Sequence, residues 1–390
     1  MRSAGVSSLV VVSSPAPLVY LDHAATTPMR PEAVEAMLPF LTERFANPSG
    51  SHRAARDARR ALDEARDVIA SALGVAPGGV VFTGCGTEAD NAAIAGSVRR
   101  HGGRAVCQAT EHHAVLHLVE HLGGSVVGVD GVGRIALDEL EATLDDDVSV
   151  VSVMAVNNEV GTIQPLAEVS AIVRTRAPRA YLHTDAVQAA CWLDLTTISP
   201  LVDLLSLSGH KFGGPKGVGV LWVRDGVQLE PLLMGGGQER DRRSGTHNVA
   251  GIVATAEALR LTVAEREATN ARVAELRNRF VSGLLATCPG AVETVDRGAK
   301  IPGSAHLCFD GCENESLLFL LDQAGICASA ASACASGAME PSHVLAAMGV
   351  RSELARGAVR FSLGHTTTDE DIDRALAAIP PMIERIRGRG

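Results

Sequence analysis

The chain has 390 residues, with 35 Lys and Arg against 45 Asp and Glu, a formal charge of −10 at pH 7, and 46% hydrophobic but only 3% aromatic residues. That length exceeds what one hydrophobic core usually serves, so a large lobe and a smaller one are expected. The acidic balance and the lack of a basic run argue against direct nucleic-acid binding as the main activity, and point to small molecules and proteins as partners. Eight cysteines occur without a CxxC pair. The closest two, Cys308 and Cys312, lack companions at metal-ligand spacing, so no metal site is expected and the thiols read as reduced, in a cytoplasmic protein. Residues 1–17, MRSAGVSSLVVVSSPAP, read as a disordered leader, because their apolar core is too short and interrupted for a signal peptide or a membrane span.

Residues 18–21 form a short strand, and DHAATTP at 22–28 leads to a helix from near Arg30 with Pro31 in its first turn. After the loop at 47–52 comes an amphipathic helix over 53–73. A buried strand at 79–83 runs into Gly84-Cys85-Gly86-Thr87, followed by a helix from Glu88. Such a turn aims bare backbone N–H groups and a helix dipole at an anion, a seat for phosphate. It matches neither the dinucleotide fingerprint nor the P-loop, which disfavours a nicotinamide dehydrogenase. Strands follow at 104–108, 125–129, 148–156 and 180–183. Polar clusters lie beyond three of them, at 110–114, 157–161 and 184–188, where open α/β sheets hold ligands.

An apolar strand at 201–207 runs into SLSGHKFGGPKG, residues 206–217. The chain has only three lysines, Lys211, Lys216 and Lys300. Lys211 sits at a strand end, where its amine can form an imine with a carbonyl cofactor, a task arginine cannot take. A strand at 219–224 and glycine- and arginine-rich segments at 235–240 and 243–246 come next, then a charged helical stretch from 249 to about 285 that reads as a connection between lobes. Strands at 304–309, 326–328 and 358–362, and a helix at 368–386, complete a smaller α+β unit.

Read together, the strand ends supply what pyridoxal phosphate needs. Lys211 would hold the aldehyde, Asp185 would pair with the pyridine nitrogen, and Gln188 would bond the ring hydroxyl. His112 would lie on the ring face. Thr87 with the Gly86 backbone would hold the phosphate, helped by Ser208 and His210. Taken singly, Asp185 also reads as a helix cap and His112 as a core histidine; their joint occurrence favours the cofactor.

The segments YLDHAATTP, NPSGSH, TEADN, TEHHAV, VNNEVG, HTDAVQ, SGHKFGGPKG, GGGQERDRRSGT, SACAS with EPSHVL, and VRFSLG occur in one order from Val19 to about Ile386. In these the chain resembles the cysteine desulfurases, among the class V aminotransferase-like, fold type I pyridoxal phosphate enzymes. The resemblance implies a large cofactor domain, 30–265, around a mostly parallel seven-stranded sheet, and a small α+β domain from 18–29 and 266–390. It places the nucleophilic thiol at Cys334, in a segment, about 328–341, without core-forming periodicity. Five extended residues of such tether move a sulfur about 15 Å. It implies that Arg360 clamps the substrate carboxylate, that Asn158 lies beside cofactor and substrate, and that Thr246 reaches the phosphate of the other subunit of a homodimer. The implied reaction converts L-cysteine to L-alanine and leaves a persulfide on Cys334, with Lys211 moving the Cα proton and a base such as His112 assisting the thiol.

Some positions depart from that pattern: Gly84-Cys85-Gly86 stands for a Ser-Gly-Ala run, Val187 for a threonine, and Ala330-Ala331 for Ser-Gly. Cys327 is an extra thiol. The chain ends at Gly390 without the longer tail that housekeeping members use to dock a scaffold. The sulfur acceptor is therefore open among an iron–sulfur scaffold, a tRNA-thiolation enzyme and a DNA-sulfur-modification protein. A selenocysteine lyase, or another class V enzyme, is the alternative activity.

Overall fold

The computed structural model describes residues 18–330 and 342–388. In chain order, strand β1 (Val19–Tyr20) precedes α1 (Pro31–Thr42), which starts on a proline because a first-turn residue needs no N–H acceptor. Helix α2 (Arg53–Leu73) buries one stripe of Ala, Leu and Ile and stops at Gly74, whose φ of 67° is the left-handed cap. Then follow β2 (Val80–Thr83), α3 (Gly86–His101), β3 (Arg104–Gln108), α4 (His113–His121), β4 (Ser125–Val127), α5 (Leu137–Thr143), β5 (Val148–Ser152), α6 (Leu166–Arg176), β6 (Tyr181–Asp185), α7 (Leu195–Ile198), β7 (Leu204–Ser208) and β8 (Gly219–Val223). Helix α8 (Val249–Thr287) leads to β9 (Ala291–Glu293), β10 (Ser304–Phe309), α9 (Asn314–Gln323), β11 (Ile326–Cys327), α10 (His343–Ala347), α11 (Ser352–Ala355), β12 (Ala358–Ser362) and α12 (Asp369–Arg387).

Seven strands make one sheet in the order β2-β8-β7-β6-β5-β3-β4, parallel except where β8 pairs antiparallel with β2 and β7. This is the α/β architecture and mostly parallel seven-stranded sheet that the resemblance implies. Its central strands are buried end to end, as strands covered by helices on both faces must be. A second, antiparallel sheet, β12-β10-β9, stands apart, and β1 pairs in parallel with β11. No helix among the described residues is long and apolar enough to cross a membrane.

Four strands differ from expectation, β4 among them, which ends at Val127 rather than at 129. The stretch 148–156 ends as a strand at Ser152: Val153 and Ala155 still donate to the His183 and Asp185 carbonyls of β6, but on the other side the Met154 amide donates to the Glu111 carboxylate. Strand β6 extends to Asp185, which is thus part of the sheet edge rather than of the turn beyond it. The residues before β7 form a 3₁₀ turn, Ser199–Leu201, around Pro200, which favours the turn position and shortens the strand.

Helix α8 runs unbroken for 39 residues. Ile252, Ala254, Ala256, Ala258 and Leu259 pack into the core under the large sheet, whereas Val273, Leu276, Phe280, Val281 and Leu284 pack into a separate core with β10, β12 and α12. Phe280 is fully buried with its ring edge-on to Phe361, centroids 5.1 Å apart. Phe280→Ala should cost roughly 3–5 kcal/mol in urea unfolding, the sum of lost burial and the cavity left behind; a loss under about 1 kcal/mol would show that this core closes around the gap.

Candidate active site

A cavity of about 410 Å³ opens at the carboxyl ends of β2, β6 and β7. Gly86, Thr87, His112, Asn158, Asp185, Gln188, Ser208, His210, Lys211 and Arg360 all line it. Thr246 does not line it and is exposed on the loop before α8, and Cys334 lies outside the described residues.

Lysine 211 ends a single 3₁₀ turn, Gly209–Lys211, that stops β7. A side chain at Gly209 would meet Thr255 at 2.7 Å, so only glycine lets the turn pack against α8. The Lys211 Nζ donates to the carbonyls of Ala24 at 2.6 Å and Ala25 at 2.9 Å. Gln188 donates to the same Ala24 carbonyl, and His210 Nδ1 lies 3.1 Å from Thr26 Oγ1. The segment after β1 is thereby tied across the cavity mouth. On β12 of the separate antiparallel sheet, Arg360 reaches it, donating to the Asn158 carbonyl at 3.0 Å and the Asp22 carboxylate at 2.8 Å. Its Nε is buried without a partner among the described residues, leaving a guanidinium edge for a carboxylate.

Asp185 accepts from the Val187 amide at 2.8 Å. Burial pushes its carboxyl up to about 6, against the pull of that hydrogen bond and of Lys211. Two further acids lie close by. Asp90 lines the cavity from α3 with Oδ1 lacking a hydrogen bond among the described residues, 3.6 Å from His183 Nε2; burial, then Asp185, push it upward. Glu111 takes the Met154 amide at 2.6 Å, and burial followed by Asp185 raises it also. Sequence reasoning missed both acids. Neither carried a local signal, because the neighbours of each in TEADN and TEHHAV are largely polar and the burial comes from distant segments.

His112 caps α4, its Nδ1 accepting from the Ala114 amide at 3.1 Å. A ring nitrogen that accepts carries no proton, so the neutral ring holds its proton on Nε2. Burial first, then Lys211 and His343, push the imidazole down to about 4.

The first-turn amides of α3 have no acceptor within their own helix. A Cβ on Gly86 would come within 3.0 Å of Val187 Cγ2 and 3.3 Å of Ser208 Cβ, so glycine keeps this cradle open. Glu88 shapes it, taking the Gly84 amide at 2.7 Å on one oxygen and Arg243 Nε at 2.7 Å on the other. Arg243 belongs to the loop that carries Thr246. That loop contains three consecutive left-handed residues, Glu239, Arg240 and Asp241, with φ of 50°, 58° and 65°. Such backbone is costly outside glycine. Glu239 holds it in place by accepting both Arg66 nitrogens at 2.8 and 2.7 Å, His247 at 2.7 Å and the Phe82 amide at 3.0 Å. Burial pushes this carboxyl up, but the Arg66 and His247 bonds outweigh it and hold it down to about 2. Among the described residues no three His, Cys, Asp or Glu side chains converge as a metal ion would need.

An amine, a buried carboxylate, a capped imidazole and a helix N-terminus around one cavity suit a phosphorylated pyridine aldehyde in charge, size and donor set. Asp90 Oδ1 and Arg360 Nε are buried polar atoms that such an occupant and its substrate would find. Nitrogen NMR on histidine-labelled protein should find His112 neutral at pH 5.5, where an exposed ring is mostly charged. Its folded value lies below the unfolded one, so its contribution to stability is complete above about 6.5 and lost as the pH falls towards 4. A His112 signal titrating near 6.5 would contradict the buried, capped geometry.

Residues 19–375 match the family model described as aminotransferase class-V. The chain is 43% identical over 384 residues to the cysteine desulfurase IscS of Methanosarcina thermophila, covering 96% of this chain and 94% of that one. Among solved structures, a NifS-like protein superposes with a TM-score of 0.88 at 37% identity, over 94% of this chain and 100% of the other. SspA, solved in complex with cysteine, superposes with a TM-score of 0.76 at 31% identity, over 90% and 99%.

Proposed function

Because the chain belongs to the class V aminotransferase family and is a cysteine desulfurase of the IscS and NifS kind, we propose that it works through pyridoxal phosphate held by Lys211, with Cys334 as the sulfur carrier. The observation that carries this reading is one cavity lined at once by the Lys211 amine, the buried Asp185 carboxylate and the Arg360 guanidinium. The net reaction takes L-cysteine and an enzyme thiol to L-alanine and an enzyme persulfide. One C–S bond breaks, one S–S bond forms, and the thiol proton ends on carbon.

When bound, pyridoxal phosphate supplies an electron sink for the charge developing at the substrate Cα. Asp185 would hold the pyridine nitrogen, Gln188 the ring hydroxyl, and Gly86, Thr87, Ser208 and His210 the phosphate. Arg360, with Asn158 beside it, takes the substrate carboxylate on its free edge and fixes the Cα–H relative to Lys211. The Lys211 Nζ accepts and returns the Cα proton within hydrogen-bond reach of the Ala24 and Ala25 carbonyls. His112, neutral and protonated on Nε2, is better suited to give a hydrogen bond than to serve as the base expected for it.

In this reading residues 30–265 are the cofactor domain, and 18–29 with 266–390 are the small domain. Thr246, exposed and absent from the cavity of its own protomer, serves the phosphate of a second copy in a homodimer. The persulfide passes to a protein thiol, and the IscS name of the relatives favours an iron–sulfur assembly partner in the cytoplasm over tRNA-thiolation or DNA-sulfur-modification proteins.

Mass spectrometry after L-cysteine should find an added sulfur, about 32 Da, on Cys334. Cys334→Ser should bind the cofactor with the wild-type visible spectrum yet carry no added sulfur; full turnover in that variant would remove Cys334 from the reaction. Borohydride should fix the cofactor on Lys211, and Lys211→Ala should leave nothing to fix. Trapping on Lys216 instead would overturn the assignment. Arg360→Lys, which keeps charge but loses the planar fork, should raise KM for L-cysteine about tenfold or more with a smaller change in kcat; an unchanged KM would free Arg360 from the carboxylate.

A further inference from the structure

The loop between β8 and α8 is braced almost residue by residue. Its left-handed bend at Glu239, Arg240 and Asp241 is unfavourable for residues with a side chain, and persists only where surrounding bonds overdetermine it. Those bonds continue over 243–247. Arg243 forks onto Glu88, with Nε 2.7 Å from one carboxylate oxygen and Nη2 3.2 Å from the other. The Ser244 amide donates to the Leu233 carbonyl at 3.1 Å, and the Gly245 amide to Gln238 Oε1 at 2.8 Å. His247 Nε2 lies 2.7 Å from Glu239 Oε1. Thr246 stands in the middle of these bonds, yet it is exposed and its hydroxyl bonds nothing among the described residues.

The braces on either side of Thr246 end at one place. Glu88, which takes Arg243, also takes the Gly84 amide at 2.7 Å. Glu239, which takes His247, also takes the Phe82 amide at 3.0 Å. Phe82 is in β2, and Gly84 lies in the turn from that strand into α3, whose first residues are Gly86 and Thr87. Thr246 is therefore fixed, through one carboxylate on each side, to the stretch of backbone that leads into the phosphate cradle of its own protomer. It does not line the cavity above that cradle. A hydroxyl held this firmly by its neighbours, without a partner of its own and outside its own site, is a positioned group that serves something beyond its protomer.

We propose that Arg243 and His247 are positioning residues for the cofactor of the other protomer. Through Glu88 and Glu239 they fix Thr246 to their own cradle, so the phosphate seat of each subunit is built on that of its partner, and disturbing the braces in one subunit weakens cofactor binding in the other. This rests on the reading above that Thr246 serves the second copy's phosphate. Neither Arg243 nor His247 lines the cavity, so both act through Thr246 and not by contact.

The test uses full-length heterodimers isolated through two different affinity tags. One subunit carries Lys211→Ala, so borohydride can fix pyridoxal phosphate only on the other, whose sequence is intact. Arg243→Met, added to the Lys211→Ala subunit, should raise the pyridoxal phosphate concentration for half-maximal fixation on the intact subunit about tenfold, the loss of one charge-assisted fork. Thr246→Ala in the same place should do likewise, and Arg243→Lys, which keeps the charge without the fork, should restore part of the affinity. A loss with Thr246→Ala but none with Arg243→Met would overturn the positioning role while leaving the shared site standing. No loss with either, or no recoverable heterodimer of the intact and Lys211→Ala chains, would overturn the shared site and the positioning role with it. Should the Arg243→Met chain fail to fold, His247→Phe, which removes the other brace, is read in the same way.

Discussion

Everything in the site depends on one amine being held by two backbone carbonyls. The Lys211 side chain reaches across the cavity to Ala24 and Ala25, on a segment whose strand β1 pairs with β11 rather than with the large sheet. Backbone carbonyls cannot rotate away as side chains do, so the amine is positioned by the meeting of two substructures and not by its own turn alone. Gln188 and His210 bond the same short segment, and Arg360 closes it from the opposite side through Asp22. The reacting groups are therefore fixed relative to one another by hydrogen bonds that each cross from one unit to the next.

The electrostatics follow from where the sheet edge lies. Because β6 runs as far as Asp185, that carboxylate is buried among its neighbours, and burial rather than a partner raises it. Asp90 and Glu111 crowd the same region and are raised in turn. A cationic ring nitrogen placed against Asp185 would answer that excess of acid, just as Lys211 already moderates it.

Most of the architecture was legible in the chain. The helix over 53–73 and the strands at 104–108, 304–309 and 358–362 were fixed by period and by flanking glycine or proline, and they stand where read. The misread ends at 152, 185 and 201 share one cause: local apolarity does not reveal where a backbone amide finds its acceptor, and at Met154 that acceptor is a side chain 43 residues away. In the site, residue types at strand ends were readable because sheet topology brings them together. Asp90 and Glu111 were not, since each derives its character from burial by distant segments. The tautomer of His112 was equally hidden, being set by the amide two residues on.

Helix α8 has a mechanical consequence. At 1.5 Å per residue, its 39 residues extend about 58 Å, and its two ends serve as walls of different cores. Neither core can melt without stripping half of this beam of its packing, and an amphipathic stretch deprived of its contacts seldom stays helical alone. The two cores are consequently bound into one cooperative unfolding unit, and proteolytic nicking within the beam would be felt in both.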